Sequence, residues 1–361
     1  MASEASDTAL ERRHRCGALR GCADARFGRL SLLLATSPRF LDHEAGFGHP
    51  ERPARLEAVL DGIEAAGVSD ALRRFAPRRA TRAELELVHT PSHLRFLEQL
   101  SARGGGVIDA DTAAGPDSWE VALLAAGAGP DAVERLDRGE AEAAFCAVRP
   151  PGHHATPARA MGFCLLNNLA VTAAVLAARG ERVAIVDWDN HHGNGTQDVF
   201  WSHGQVLYAS LHQWPFYPGT GALEERGAGE GEGWTVNLPL PAGATGDVAL
   251  AALDQVVTPV VEAFAPTWLL VSAGFDAHRA DPLTGLALSS GDFADLTRTV
   301  LEYAPRGRRV LFLEGGYDLD ALAASAGACA AALVGREHRP EPATSGGPGM
   351  DVVDAARRLL D

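Results

Sequence analysis

A chain of 361 residues, 46% hydrophobic and 22% charged, has enough apolar material for one large soluble domain or two small ones. Its formal net charge of −15 argues against direct binding to nucleic acid or to an anionic membrane, and no run approaches the length of a membrane span. All 32 residues in the Lys+Arg total are arginine, so the chain cannot be modified on lysine side chains of its own.

The N-terminal residues 1–29 mix Arg, Ala, Asp and Glu without periodicity and are expected to form a disordered extension. Leu30 to Thr36 reads as a first strand; its apolar part is too short and too far in for a signal sequence. A Gly- and Pro-punctuated loop spans Pro38 to Pro53. Arg55 to Gly67 has helical spacing, with Leu56, Val59, Leu60 and Ile63 on one face. Glu84 to Val88 reads as a short strand or turn, Pro91 to Arg103 as a helix, and Ser118 to Asp137 as a longer one. Further strands are predicted at Phe145–Val148, Val183–Val186, Gln205–Leu211, Thr235–Leu240, Trp268–Ser272 and Arg309–Leu313. Helices are predicted at Asn167–Arg179, Val248–Phe264 and Gly291–Tyr303. A Pro/Gly/Ser-rich stretch, Glu341 to Gly349, precedes a short closing helix, Asp351–Leu360. Strands alternating with helices imply one parallel sheet covered on both faces. With no long internal linker, a single domain over 30–338 is expected, with 339–361 packing on it.

The five cysteines (Cys16, Cys22, Cys146, Cys164 and Cys329) are odd in number and scattered, which suits a reducing compartment and hence the cytoplasm.

The polar residues are placed with a pattern. His153-His154, Asp187-Asp189-His191, His212, Asp276 and Tyr317 each follow an apolar strand-like run, and a doubly wound sheet brings such strand ends to one edge. A lone Asp276 would more often be a cap and a lone Tyr317 a turn residue, but five clusters at one relative position are hard to assign to structure alone. Asp189 and His191, two apart in extended chain, point to the same side. With Asp276 they make two carboxylates and an imidazole with a position left open, the pattern of catalytic rather than structural zinc. His153 and His154 are then candidate proton carriers and Tyr317 a donor to a developing oxyanion, which describes metal-assisted hydrolysis of an amide or ester.

RPPGHHA (149–155), MGFCLLNN (161–168), VDWDNHHGNGTQ (186–197), SAGFDAHRADPLTG (272–285) and LEGGY (313–317) closely resemble the motifs of the zinc-dependent histone deacetylase superfamily, in its order, over roughly 30–335. The Asn after HHG and the Glu before GGY look like its class II and bacterial amidohydrolase branch. The resemblance implies an arginase-like α/β domain with an eight-stranded parallel sheet, and hydrolysis of acetyl-lysine, in a protein or a small acetylated amine. It implies one Zn2+ per chain on Asp189, His191 and Asp276. The paired catalytic histidines would be His153 and His154, with Asp187 and Asn194 as their respective partners, and Tyr317 would bond the substrate carbonyl. Gly162, Phe163 and Tyr217 would line the acyl-lysine tunnel, and Arg52 would stand near the acetate exit. Structural K+ or Na+ ions are also implied, an inner one at Asp187, Asp189, His191, Ser210 and Leu211, and an outer one at Phe200, His203, Val206 and Trp234.

Leu283 stands where related polyamine deacetylases carry an acidic gatekeeper, which favours acyl-lysine over a cationic polyamine. An acetylpolyamine amidohydrolase is the alternative enzyme. A non-catalytic acyl-lysine binding protein and an arginase-like two-manganese enzyme are weaker alternatives, and self-association is left open.

Overall fold

The computed structural model describes residues 30–360, of which those from Ser31 onward belong to one compact unit. The extension over residues 1–29, with Cys16 and Cys22, lies outside the described residues. Eight strands make one sheet: β1 (Leu32–Ala35), β2 (Leu72–Phe75), β3 (Ala143–Cys146), β4 (Val183–Asp187), β5 (Val206–Gln213), β6 (Thr235–Leu240), β7 (Trp268–Ala273) and β8 (Arg309–Leu313). Their spatial order is β2-β1-β3-β8-β7-β4-β5-β6, and every pairing is parallel.

Parallel strands need both faces covered, and the sequences comply. VAIVD in β4 and WLLVSA in β7 are buried at every position, as are LLLA in β1 and AAFC in β3. The register sets Asp187 opposite Ser272 on β7 and Ser210 on β5. Consequently the carboxyl ends of β3, β8, β7 and β4, four neighbours at the middle of the sheet, open onto a common edge.

Four elements differ from the reading of the sequence. The eighth strand is Leu72–Phe75, LRRF, an edge strand whose two arginines are exposed, so no apolar run announces it. Glu84 to Val88, read as a short strand or turn, begins inside a short helix, Arg82–Leu85, started by the reciprocal capping box of Thr81 and Glu84, and then turns. The helix Leu319–Leu333, LDALAASAGACAAAL, had no periodic signal because it is buried nearly all round. It crosses Ala54–Ala65 so closely that a Cβ on Gly62 would stand 1.9 Å from the Ala323 carbonyl oxygen. Finally, the helical stretch after Thr245 contains a π-turn at Leu253–Val257.

The Pro/Gly-rich stretch is tied down by charge. Glu341 accepts from His278 Nε2 at 2.6 Å and from Arg279 Nη2 at 2.6 Å, and the Thr344 hydroxyl donates to the buried Asp292 at 2.7 Å. The last helix, Met350–Arg358, buries Val353 and Ala356. Among the described residues, no helix is long and apolar enough to cross a membrane.

Candidate active site

The chain leaving β4 turns back through Asp189 and His191, and Asp276 arrives from the end of β7. One ligand atom from each of the three lies within 4.8 Å of the others. His191 Nδ1 is 2.9 Å from Asp276 Oδ2 and 3.2 Å from Asp189 Oδ1. Backbone donors fix both carboxylates: Gly315 N–H bonds Asp189 Oδ2 at 2.8 Å, and Asn190 N–H bonds Asp276 Oδ1 at 2.8 Å. Burial, followed by the Asp189 charge, pushes the Asp276 carboxyl up to about 7. Burial pulls the His191 imidazole down, but hydrogen bonds to Asp189 and Asp276 outweigh it and raise it to about 10. Two crowded, buried carboxylates and an imidazole on one point form a donor set that a divalent cation neutralises, so the residues fit a metal ion.

The turn after β3 delivers His153 and His154, whose rings are 4.0 Å apart. Their environments oppose each other. His153 Nδ1 lies 3.0 Å from Asp187 Oδ2 and its Nε2 lies 3.8 Å from Asp189 Oδ1. Burial disfavours its charge, yet Asp189 and Asp187 together raise it to about 10. His154 Nδ1 lies 2.8 Å from the neutral Asn194 Oδ1. Burial and then the charges of His153 and His191 hold it well below its usual value. The Asn194 oxygen can only accept, so His154 carries its proton on Nδ1 and leaves Nε2 as a base.

The pocket above these residues is a cavity of about 240 Å³ lined by Asp111, His154, Gly162, Phe163, His191, Phe216, Tyr217, Leu283 and Tyr317. Gly162 and Phe163 both sit at positive φ, 56° and 67°, and a Cβ on Gly162 would come 2.4 Å from the His154 ring. That strained corner sets the Phe163 ring edge-on to Tyr317 at 5.7 Å. Opposite, Tyr217 stands 5.2 Å from the His154 ring. Asp111 also lines the pocket, whereas the nearby Asp109 pairs with Arg159.

Most of the residues singled out in the sequence converge here, with one correction. Arg52 is exposed. The arginine that reaches the site is Arg55, wholly buried, which donates to the Glu314 and Gly316 carbonyl oxygens and lies 4.9 Å over the Tyr317 ring. Glu51 holds it at 3.2 Å and also binds Arg149, the first residue of RPPGHHA. An arginine in the first turn of a helix reads as a surface residue, and only the tertiary contact distinguishes Arg55 from Arg52. Phe216, 5.3 Å from the His191 ring, also escaped the sequence reading. Of the residues expected to hold monovalent cations, the inner Asp187 and Ser210 are paired across β4 and β5. Of the outer four, the Phe200 and His203 rings are 5.8 Å apart, His203 O accepts from Val206 N–H, and Trp234 O accepts from Tyr208 N–H.

Comparison with known proteins agrees with the geometry. A family model described as the histone deacetylase domain matches residues 49–333. A probable deacetylase of Archaeoglobus fulgidus is 42% identical over 287 residues, covering 78% of this chain and 80% of its own. A histone deacetylase-like amidohydrolase of Pseudomonas aeruginosa is 39% identical over 279 residues, 76% of this chain and 73% of its own. Histone deacetylase 15 of Arabidopsis thaliana is 42% identical over 301 residues, which is 81% of this chain but 54% of the plant protein. The solved structure of the HDA15 HD domain superposes with a TM-score of 0.84 at 38% identity, covering 91% of this chain and 94% of that one.

Proposed function

The chain belongs to the histone deacetylase family, and from that premise we propose that it is a zinc-dependent deacetylase releasing acetate from acetylated lysine, in a protein or as a small acetylated amine. The observation that carries this reading is the pairing of two adjacent histidines with opposite protonation bias beside the Asp189–His191–Asp276 cluster, in a pocket walled by aromatic rings. Bound zinc would supply Lewis-acid polarisation of the scissile carbonyl and bring the pKa of a coordinated water down to roughly 7.

The protein's own groups do the rest. The lysine stem runs between Phe163 and Tyr217, which exclude water from it. His154 takes the proton of the attacking water on Nε2, and that proton is then available to the departing amine. His153, held cationic by Asp189 and Asp187, stabilises the negative charge that develops on oxygen as water adds to the carbonyl. Burial keeps the Tyr317 hydroxyl protonated, so it donates to the developing oxyanion. Arg55, in place of Arg52, lies behind Tyr317 where a released acetate would meet a cation. The inner and outer residue sets named above are read as sites for K+ or Na+. The catalytic unit is taken as 30–338, and the three buried free cysteines among the described residues suit a cytoplasmic setting.

Leu283 on the pocket wall is a neutral residue, which supports acyl-lysine over a polyamine. Turnover of an acetyl-lysine peptide and of acetylspermidine, measured in parallel, tests this. The peptide is expected to give the higher kcat/KM, and a preference for acetylspermidine would move the assignment to the polyamine alternative.

A further inference from the structure

β5 brings a second group to the Asp187 carboxylate. Tyr208 is 1% exposed and pairs with Ile185 of β4, one step along the same face from the Asp187–Ser210 pair. Its hydroxyl donates to Asp187 Oδ2 at 3.2 Å, the same oxygen that meets His153 Nδ1 at 3.0 Å. The other oxygen, Oδ1, accepts from the Asp189 N–H at 3.1 Å, so the carboxylate is held at three points. Burial and then the Asp187 charge keep the phenol protonated well above its usual range, which makes it the donor.

A phenylalanine would fill the same space without a polar atom to bury, and burying a hydroxyl is unfavourable unless it is bonded. The backbone seals the group. A Cβ on Gly193 would stand 2.4 Å from Asp187 Oδ2, 2.6 Å from the Tyr208 hydroxyl and 3.1 Å from His153 Nδ1.

We propose that Tyr208 is a positioning residue for His153: by sharing Asp187 Oδ2 it fixes the rotation of that carboxylate, and through it the direction in which the imidazole meets the pocket. Tyr208 touches no substrate, and the inference rests on reading His153 and Asp187 as a working pair.

The test uses zinc-loaded Tyr208→Phe, Asp187→Asn and the double variant, with an acetyl-lysine peptide as substrate. The low-field proton NMR signal of the His153 N–H, identified by its loss in Asp187→Asn, is followed in metal-free and loaded protein. Tyr208→Phe is expected to lower kcat on the order of tenfold, the range of one ordinary hydrogen bond. KM, zinc content and Tm should stay unchanged, and the low-field signal should shift. In the Asp187→Asn background the same change should add no further loss. Wild-type kcat with an unshifted signal, or an equal loss in both backgrounds, overturns the proposal. A loss that follows zinc content or Tm assigns the hydroxyl to the core and overturns it too. Full kcat in Asp187→Asn would instead sink the His153–Asp187 reading, and this inference with it.

Discussion

His153 and His154 are adjacent, buried and chemically identical, yet Asp189 and Asp187 raise the first while burial and the charges of His153 and His191 lower the second. A carboxylate at 3.0 Å holds His153 charged, whereas an amide at 2.8 Å leaves His154 neutral. The pairing could be anticipated because Asp187 and Asn194 differ in type and both lie in the motif that follows β4. His154→Ala is therefore expected to lower kcat by roughly 10²–10⁴, the range for a positioned general base, with zinc retained. Near-normal turnover in His154→Ala, with loss in His153→Ala, would reverse the two assignments. Arg52 and Arg55 share one short segment, and Arg55 is buried through its bonds to the Glu314 and Gly316 carbonyl oxygens, more than 250 positions away.

At the scale of elements, every apolar strand was legible, whether or not it ends in chemistry, and the exposed edge strand was not. β4, β7 and β8 are apolar runs ending in polar motifs, so both strand and site are visible together. The edge strand β2 and the all-buried helix Leu319–Leu333 lack either signature, since solvent exposure at an edge and burial all round both erase periodicity. Joints between elements are also silent in sequence, and His89 is one. Its Nδ1 lies 3.1 Å from the Thr156 carbonyl oxygen, and its Nε2 accepts the Asn167 N–H at 2.9 Å, at the start of helix Asn168–Ala178. Only the neutral ring fits, and burial lowers its pKa from 6.5 to about 3. The unfolded chain then binds this proton below pH 6.5 and the folded one does not. Stability from this group is complete above pH 6.5 and is lost as pH falls toward 3. His89→Asn should therefore show a smaller fall in Tm between pH 7 and pH 4.5 than the parent chain; equal falls would contradict it.

Across the whole molecule, the site is a product of strand order. β3 and β4 are consecutive in sequence, yet β8 and β7 lie between them, which puts the histidine pair, the Asp276 turn and Tyr317 around one cavity. Buried Glu51 braces this arrangement by binding both Arg149, ahead of the histidines, and Arg55, behind Tyr317. A chain with no lysine also offers no acetyl-lysine of its own to such a pocket. The Asp189–His191–Asp276 cluster predicts that one metal ion is needed for amide hydrolysis. Titrating zinc into metal-free protein while measuring acetate released from an acetyl-lysine peptide tests it most directly. Activity should rise linearly and stop at one zinc per chain, with Asp276→Asn showing neither tight binding nor turnover. Full activity without metal, a requirement for two ions, or one bound zinc with no acetate released would each rule out a single catalytic metal ion at this cluster.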